Sequence, residues 1–399
     1  MTSAAVFAAA ALLFVLFGFG RSLAERFTTG IVIAGAVMWV ESLVHIPWTR
    51  AALLIPMVLC AAAAVLGGRT PRLDARRSTW PVLAIALIAA YAAITARATN
   101  ADLLLFWGPK GQAFYLARGV DVNFLRYPFH YLMHPDYPPL QPMVYAWCST
   151  AAHRFSDFGA LLLTPLYIFA AAHAFRNYAA RAIGDGRAAA FATLLAALLA
   201  YTSIEAVIAG GADAQLILFE VVALSALTFA DDATLVAAVA LAGAAFTKVE
   251  GAVFAIVVVA VFAVLRRDVR RTAILAIPPL VLLGSWILFA RHEHILDAFK
   301  FGGKPLYLAE LPVVLSQSLR QASYQALYVP WIVAAAPLVM ARRWRPALLP
   351  LTVAFATIAA AIFFYLHAPD ASWWVASSAR RVLLTPLVSL LVAASATSE

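Results

Sequence analysis

The first concentration of polar chemistry in this chain reads Asn100-Ala-Asp102-Leu-Leu-Leu-Phe106-Trp107-Gly108-Pro109-Lys110. A carboxylate held partly wet at a membrane boundary can act as a general base once packing raises its pKa. Asp is also a preferred helix cap, and spacing alone leaves both roles open for Asp102. Lys110 follows eight residues on, close to two helical turns, so the two side chains can share a face. A lysine there suits a phosphate as a point charge, or snorkels to lipid headgroups.

Four further clusters extend the set. Asp136-Tyr137-Pro138-Pro139-Leu140 leads into an apolar stretch. Asp213 follows Gly210-Gly211-Ala212, as a turn residue or as a boundary carboxylate with a function. Lys248 and Glu250 share one tight turn, either as a local ion pair or as functional groups. The segment from Tyr365 to Arg381 carries Trp373 and Trp374, which suit an interfacial anchor. It also carries Arg380 and Arg381, which suit a bidentate grip on phosphate. His292, Glu293 and His294 do not converge on one helix face, since helical ligands need a spacing of three or four. No Gly-x-Ser-x-Gly, His-Glu-x-x-His or glycine-rich nucleotide loop occurs.

The elements that position these residues are set by composition. Of 399 residues, 64% are apolar and 12% charged, and the mean hydropathy is +0.87. Soluble domains lie near half apolar and a quarter charged. A soluble enzyme, a disordered chain and a porin-like barrel are excluded, and an all-α, polytopic membrane bundle remains. Cys60 and Cys148 are too few for a disulfide framework and read as apolar filler. The run 4–20 lacks a basic leader and a cleavage site, and reads as a retained helix.

Apolar stretches predict 12–13 spans, near 4–20, 29–46, 51–67, 79–97, 157–175, 188–208, 214–230, 233–247, 250–266, 272–290, 329–341, 347–366 and 380–397. With these spans alternating, five short basic loops fall on one side. They hold Arg21 and Arg26; Arg69, Arg72, Arg76 and Arg77; Arg176, Arg181 and Arg187; Arg266, Arg267, Arg270 and Arg271; and Arg342, Arg343 and Arg345. That side is expected to be cytoplasmic. The net charge of +9 is then mostly topology, and no nucleic-acid partner is expected.

Two long segments, 98–156 and 291–328, fall on the outer face. Leu140–Ala152 is short and follows three prolines, so it reads as an interfacial or re-entrant helix. Leu311, Val314, Leu315, Leu319, Ala322 and Ala326 fit a helix lying along the surface. The organisation expected is a three-helix extension over 1–78 and a main membrane module over 79–399, with no repeat.

Over roughly residues 80–397 these clusters, in this order and on one face, resemble the GT-C class of integral-membrane glycosyltransferases. More narrowly they resemble the bacterial relatives of protein O-mannosyltransferases and aminoarabinose transferases. The resemblance implies inverting transfer of a sugar from a polyprenyl-phosphate donor to an acceptor hydroxyl at the outer face of a bacterial inner membrane. The acceptor would be a glycan, lipid or protein. It casts Asp102 as the base, and Lys110, Arg380 and Arg381 as ligands of the donor phosphate. Trp107, Asp136, Tyr137, Lys248, Trp373 and Trp374 would serve substrate binding. Asp213 or Glu250 would supply a second carboxylate. Many relatives carry two adjacent acids where this chain has Asp102-Leu103, so an adjacent acid pair holding a divalent metal is not expected; a second carboxylate from Asp213 or Glu250 leaves a divalent metal open, and no other cofactor is implied. No sizeable soluble domain follows the last span, so acceptor recognition is expected from the outer loops. The competing expectations are a transporter or flippase for a lipid-linked or anionic solute, and a non-catalytic subunit of the same fold. Transporters place their charges near the bilayer midplane on broken, repeated helices, a pattern not visible here.

Overall fold

The computed structural model describes residues 2–66, 80–95, 100–205, 207–295, 305–341, 344–368 and 370–397. Among them every extended element is a helix and no strand forms. The chain begins with α1 (Thr2–Leu12), α2 (Phe14–Phe17), α3 (Leu23–Leu43), α4 (Arg50–Leu66) and α5 (Trp80–Thr95). The first long loop contains α6 (Gly108–Ala117), α7 (Val122–Arg126) and α8 (Leu140–Ala152). A run of long helices follows: α9 (Asp157–Ile183), α10 (Asp185–Ile204), α11 (Ala212–Phe229), α12 (Thr234–Ala245), α13 (Val249–Arg266) and α14 (Val269–His292). The chain closes with α15 (Leu311–Ser323), α16 (Val329–Met340), α17 (Leu348–Leu366), α18 (Ala371–Val382) and α19 (Leu384–Ala396).

Eight described helices are long and apolar enough to cross a bilayer: α3, α9, α10, α11, α13, α14, the stretch Arg345–Leu366, and Ala371–Ala396. Shorter apolar helices occur at Ser3–Phe17, Arg50–Ala63, Trp80–Thr95 and Val329–Met340. The chain is a multi-span membrane protein of the all-α class. The basic positions 69, 72, 76, 77, 342 and 343, on which part of the expected sidedness rests, lie outside the described residues.

Local chemistry fixes the helix ends. Ser22 and Glu25 form a reciprocal capping box at the start of α3. Ser156 caps α9 through the Gly159 N–H at 3.1 Å. Asp370 caps α18 by accepting from the Trp373 N–H at 2.9 Å. This last cap corrects the sequence reading. Residues 371–382, expected as an outer loop, are helical and run almost directly into the final apolar helix. The sequence expectation started that span at 380; the helical stretch starts at Ala371.

Alanine-rich α12 packs closely on α11 and α14, and α11 is buried from Ala212 to Leu227. The helix at Leu140–Ala152 forms with the expected bounds and is buried from Leu140 to Ser149, against α1 and α6. α1 packs on α8 and α9, and α3 on α9 and α12, so the first helices share one core with the rest. A second, smaller core joins Val314 and Ala322 of α15 to Tyr365 and Leu366 of α17 and to Ala371, Val375 and Ala379 of α18. The last three recur every four residues and define the buried stripe of α18.

Candidate functional site

Asp102 opens a six-residue π-helix, Asp102–Trp107. Such wide turns recur at functional sites. Its start is secured by Asn100, not Asp102. The Asn100 side-chain oxygen Oδ1 accepts from the Leu103 N–H at 2.9 Å, and its Nδ2 donates to the Ala209 carbonyl. Asp102 is thereby released from capping, and its carboxylate accepts from the Arg381 guanidinium on α18.

A chain of charges continues inward. Arg381 Nη1 also lies 3.7 Å from Asp213 Oδ2, at the first turn of α11. Lys248, just ahead of α13, donates to Asp213 Oδ1 at 2.9 Å and sits 3.3 Å from Glu250 Oε1. The local Lys248–Glu250 pair, one of the two readings the sequence left open, therefore forms, but as one end of a five-member cluster of three carboxylates and two cations. Asp213 and Lys248 are each 6% exposed in their side chains, whereas Asp102, Arg381 and Glu250 reach the cavity at 21–31%.

Two backbone details hold this cluster. Gly210 sits at φ +64°, where a β-carbon is disfavoured. Its carbonyl accepts from the Tyr145 hydroxyl at 2.6 Å, pinning the turn ahead of Asp213. Gly251 packs so closely under α12 that a β-carbon would collide with the Ala244 carbonyl oxygen. Only glycine lets the Lys248–Glu250 turn approach this far.

The cluster forms one end of a cavity of about 500 Å³. Asp102, Lys248, Glu250 and Arg381 line that end, with Tyr137 and Ser378 beside them. Val253 of α13, Ala360, Ala361 and Phe364 of α17, and Val382 of α18 make an apolar flank. Trp107, Trp373 and Trp374 also face it, the last two in an edge-to-face pair 5.1 Å apart. On α18 and α19 the lining residues Trp374, Ser378, Arg381 and Thr385 recur every three or four positions, beside the buried stripe.

That periodicity separates the two arginines. Successive residues of a helix point about 100° apart. Arg380 accordingly leaves the cavity, donating to Glu205 Oε2 at 2.5 Å and covering the Tyr324 ring at 4.6 Å. Lys110 is also turned away from the cavity. It is 2% exposed, donates to the His134 carbonyl and lies 4.8 Å from the Trp107 ring centre. It anchors the 134–137 loop, where His134 stacks on Tyr137 at 4.5 Å and the Asp136 carbonyl accepts from Trp286. Asp136 does not line the cavity; its carboxylate bears on Lys110.

Burial and neighbours set the protonation of this face. Burial raises the Asp102 pKa, and Asp213 and Glu250 add to the rise; Arg381 and Lys248 oppose it. Burial pulls Lys248 down, but Asp213 and Glu250 outweigh it, so Lys248 is held above the usual lysine value. Burial drops Lys110 to about 7 against the opposing pull of Asp136. Burial, with Lys110, Lys248 and Arg381 nearby, drops His134 to about 3, so it is a neutral imidazole. Burial and the nearby carboxylates keep Tyr137 as a phenol.

Among the described residues no group of three or more His, Cys, Asp or Glu side chains is placed to hold a metal ion. The site thus unites Asp102, Trp107, Tyr137, Lys248, Glu250, Trp373, Trp374 and Arg381, with Asp213 behind them, and leaves Lys110, Asp136 and Arg380 outside the cavity. Sequence reasoning missed His134, Ser378 and Thr385 as lining residues. The helical spacing of Ser378 and Thr385 from Arg381 was the available signal for those two. No protein-family model, curated protein or solved structure matches this chain.

Proposed function

We propose that the chain is a membrane glycosyltransferase that moves a sugar from a polyprenyl-phosphate donor to an acceptor hydroxyl, with inversion, at the outer face of a bacterial inner membrane. The observation that carries this reading is the meeting of Asp102 and Arg381 at the charged end of a cavity whose flank is apolar. Such a cavity suits an amphiphile with an anionic, sugar-bearing head and a hydrocarbon tail. Asp102, Asp213, Lys248 and Glu250 lie at or next to the starts of their helices, which favours surface chemistry over passage of a solute through the midplane.

In the proposed reaction Asp102 takes the proton of the acceptor hydroxyl, and the acceptor oxygen attacks the anomeric carbon. The bond from that carbon to the phosphate oxygen breaks, and its electron pair leaves with polyprenyl phosphate. Arg381, assisted by Lys248, neutralises the charge growing on the leaving phosphate. The donor phosphate competes with Asp102 for Arg381. Engaging it frees the carboxylate and strengthens it as a base. The aromatic rings of Tyr137, Trp373 and Trp374 offer faces for the sugar or the first isoprene units.

The test uses purified protein in lipid vesicles with a panel of polyprenyl-phosphate sugars, acceptor-containing membranes and a readout of free polyprenyl phosphate. Release from at least one donor is expected from the wild type. Asp102→Asn is expected to lose turnover by at least about a hundredfold while still binding donor. Full turnover by Asp102→Asn would overturn the assignment. No release from any donor by folded protein would return weight to transport or a subunit role.

A further inference from the structure

Glu220 lies midway along α11 and is completely buried. An ionisable side chain at that depth is costly, and an apolar residue of similar volume would avoid the cost. Among the described residues no basic side chain forms an ion pair with it. Its Oε1 accepts from the Thr385 hydroxyl at 2.8 Å, and its Oε2 is buried without a hydrogen-bond partner.

Thr385 is the second half of the observation. It lines the cavity, four residues beyond Arg381 and on the same side of the helix. A hydroxyl has one proton and two lone pairs. With the proton committed to Glu220, what Thr385 presents to the cavity is a hydrogen-bond acceptor. Because Oε1 is the accepting oxygen and Oε2 has no partner, a proton on the acid belongs on Oε2, and the polarity at Thr385 holds in either protonation state.

We propose that Thr385, oriented by Glu220, is a specificity-determining residue that accepts a hydrogen bond from a hydroxyl or amine on the sugar of the bound donor. Glu220 is its positioning residue and does not touch the ligand. The proposal rests on the reading that the cavity takes a polyprenyl-phosphate sugar. A buried acceptor left without its donor loses more than the bond itself, so a ligand lacking that donor is disfavoured.

The test compares binding of polyprenyl-phosphate sugars with binding of sugar-free polyprenyl phosphate, followed by the fluorescence of the cavity tryptophans. Thr385→Val is expected to weaken the sugar-bearing ligand about three- to tenfold and to leave the sugar-free one unmoved. Thr385→Ser is expected to restore the preference. Glu220→Leu is expected to blunt it in the same sense, because the freed hydroxyl can then donate. Equal weakening of both ligands by Thr385→Val, or no change in either, overturns the proposal, as does failure of the wild type to bind any ligand of the panel. Release of polyprenyl phosphate, measured alongside, separates the two ideas. A Thr385-dependent preference without release would sink the transferase and keep the specificity role. Asp102-dependent release with the preference intact in Thr385→Val would do the reverse.

Discussion

The guanidinium of Arg381 donates to the carboxylate of Asp102, 279 positions away in the chain. The same Nη1 lies near Asp213, which Lys248 holds from its other oxygen. One arginine thus ties the first π-helical turn to α11 and to α18.

Asp102 and Arg381 should be energetically coupled. Arg381→Met leaves two carboxylates short of a partner and is expected to cost about 1–3 kcal/mol of stability. Combining it with Asp102→Asn should restore part of that loss, since the change removes one of the stranded charges. A double-mutant cycle by chemical denaturation in detergent should give a coupling of about 0.5–3 kcal/mol; strict additivity would mean the pair is not formed in solution.

The acid limb of turnover should lie above the ordinary carboxylate range. Burial raises the Asp102 pKa, with Asp213 and Glu250 adding to it, and a base must be unprotonated to work. Lys248 opposes the rise, so Lys248→Met should move the limb to higher pH. Glu250 supports it, so Glu250→Gln should move the limb lower. A pH profile of kcat/KM for the three proteins checks both signs, and limbs that coincide would remove Asp102 as the titrating group.

Stability should fall on mild acidification through His134. Its pKa is about 3 in the fold and near 6.5 when unfolded, so between these values only the unfolded chain takes the proton. The stabilisation is complete above about pH 6.5 and is lost toward pH 3, with a slope of at most about 1.4 kcal/mol per pH unit. Lys110 acts in a higher window. Its pKa of about 7 in the fold against 10.5 outside makes stability rise from pH 7 toward 10.5. Thermal unfolding across pH should show both slopes. His134→Gln should flatten the first and Lys110→Met the second.

Gly251→Ala should be disproportionately damaging for a single methyl group. The new β-carbon meets the Ala244 backbone, which cannot swing aside as a side chain would. A loss of about 1–3 kcal/mol is expected, together with weaker donor binding as the Lys248 turn is pushed outward. The same substitution at Gly186, where a β-carbon meets nothing within 4 Å, is the control.

Much of the fold was legible because membrane helices announce themselves by hydropathy and length. The helix at Leu140–Ala152 and a helix over Leu311–Ser323 followed from periodicity and proline placement, although Ala326 lies beyond the end of the second. The site was legible in its ingredients and not in its directions. Arg380 and Arg381 read as one pair until residues 371–382 prove helical, and then they must diverge. Lys110 has a spacing compatible with facing Asp102, but a buried ammonium goes where acceptors are, and those lie at His134 and Asp136. The signal for the helix at 371 was Asp370, three residues ahead of Trp373 at capping distance. Glu220 was not among the residues singled out from sequence. Its partner Thr385 lies 165 residues on, a separation no local pattern reports.

The ion-pair cluster also has an order of assembly. Asp102 and Asp213 emerge from the ribosome long before Arg381, and Lys248 is the first cation able to join them. Until α18 inserts, Asp102 stands at the membrane boundary without the cation that neutralises it. Completion of the charge cluster is thus coupled to delivery of the last helices, and a nascent chain stalled before Arg381 would expose an unpaired carboxylate to the membrane quality-control machinery.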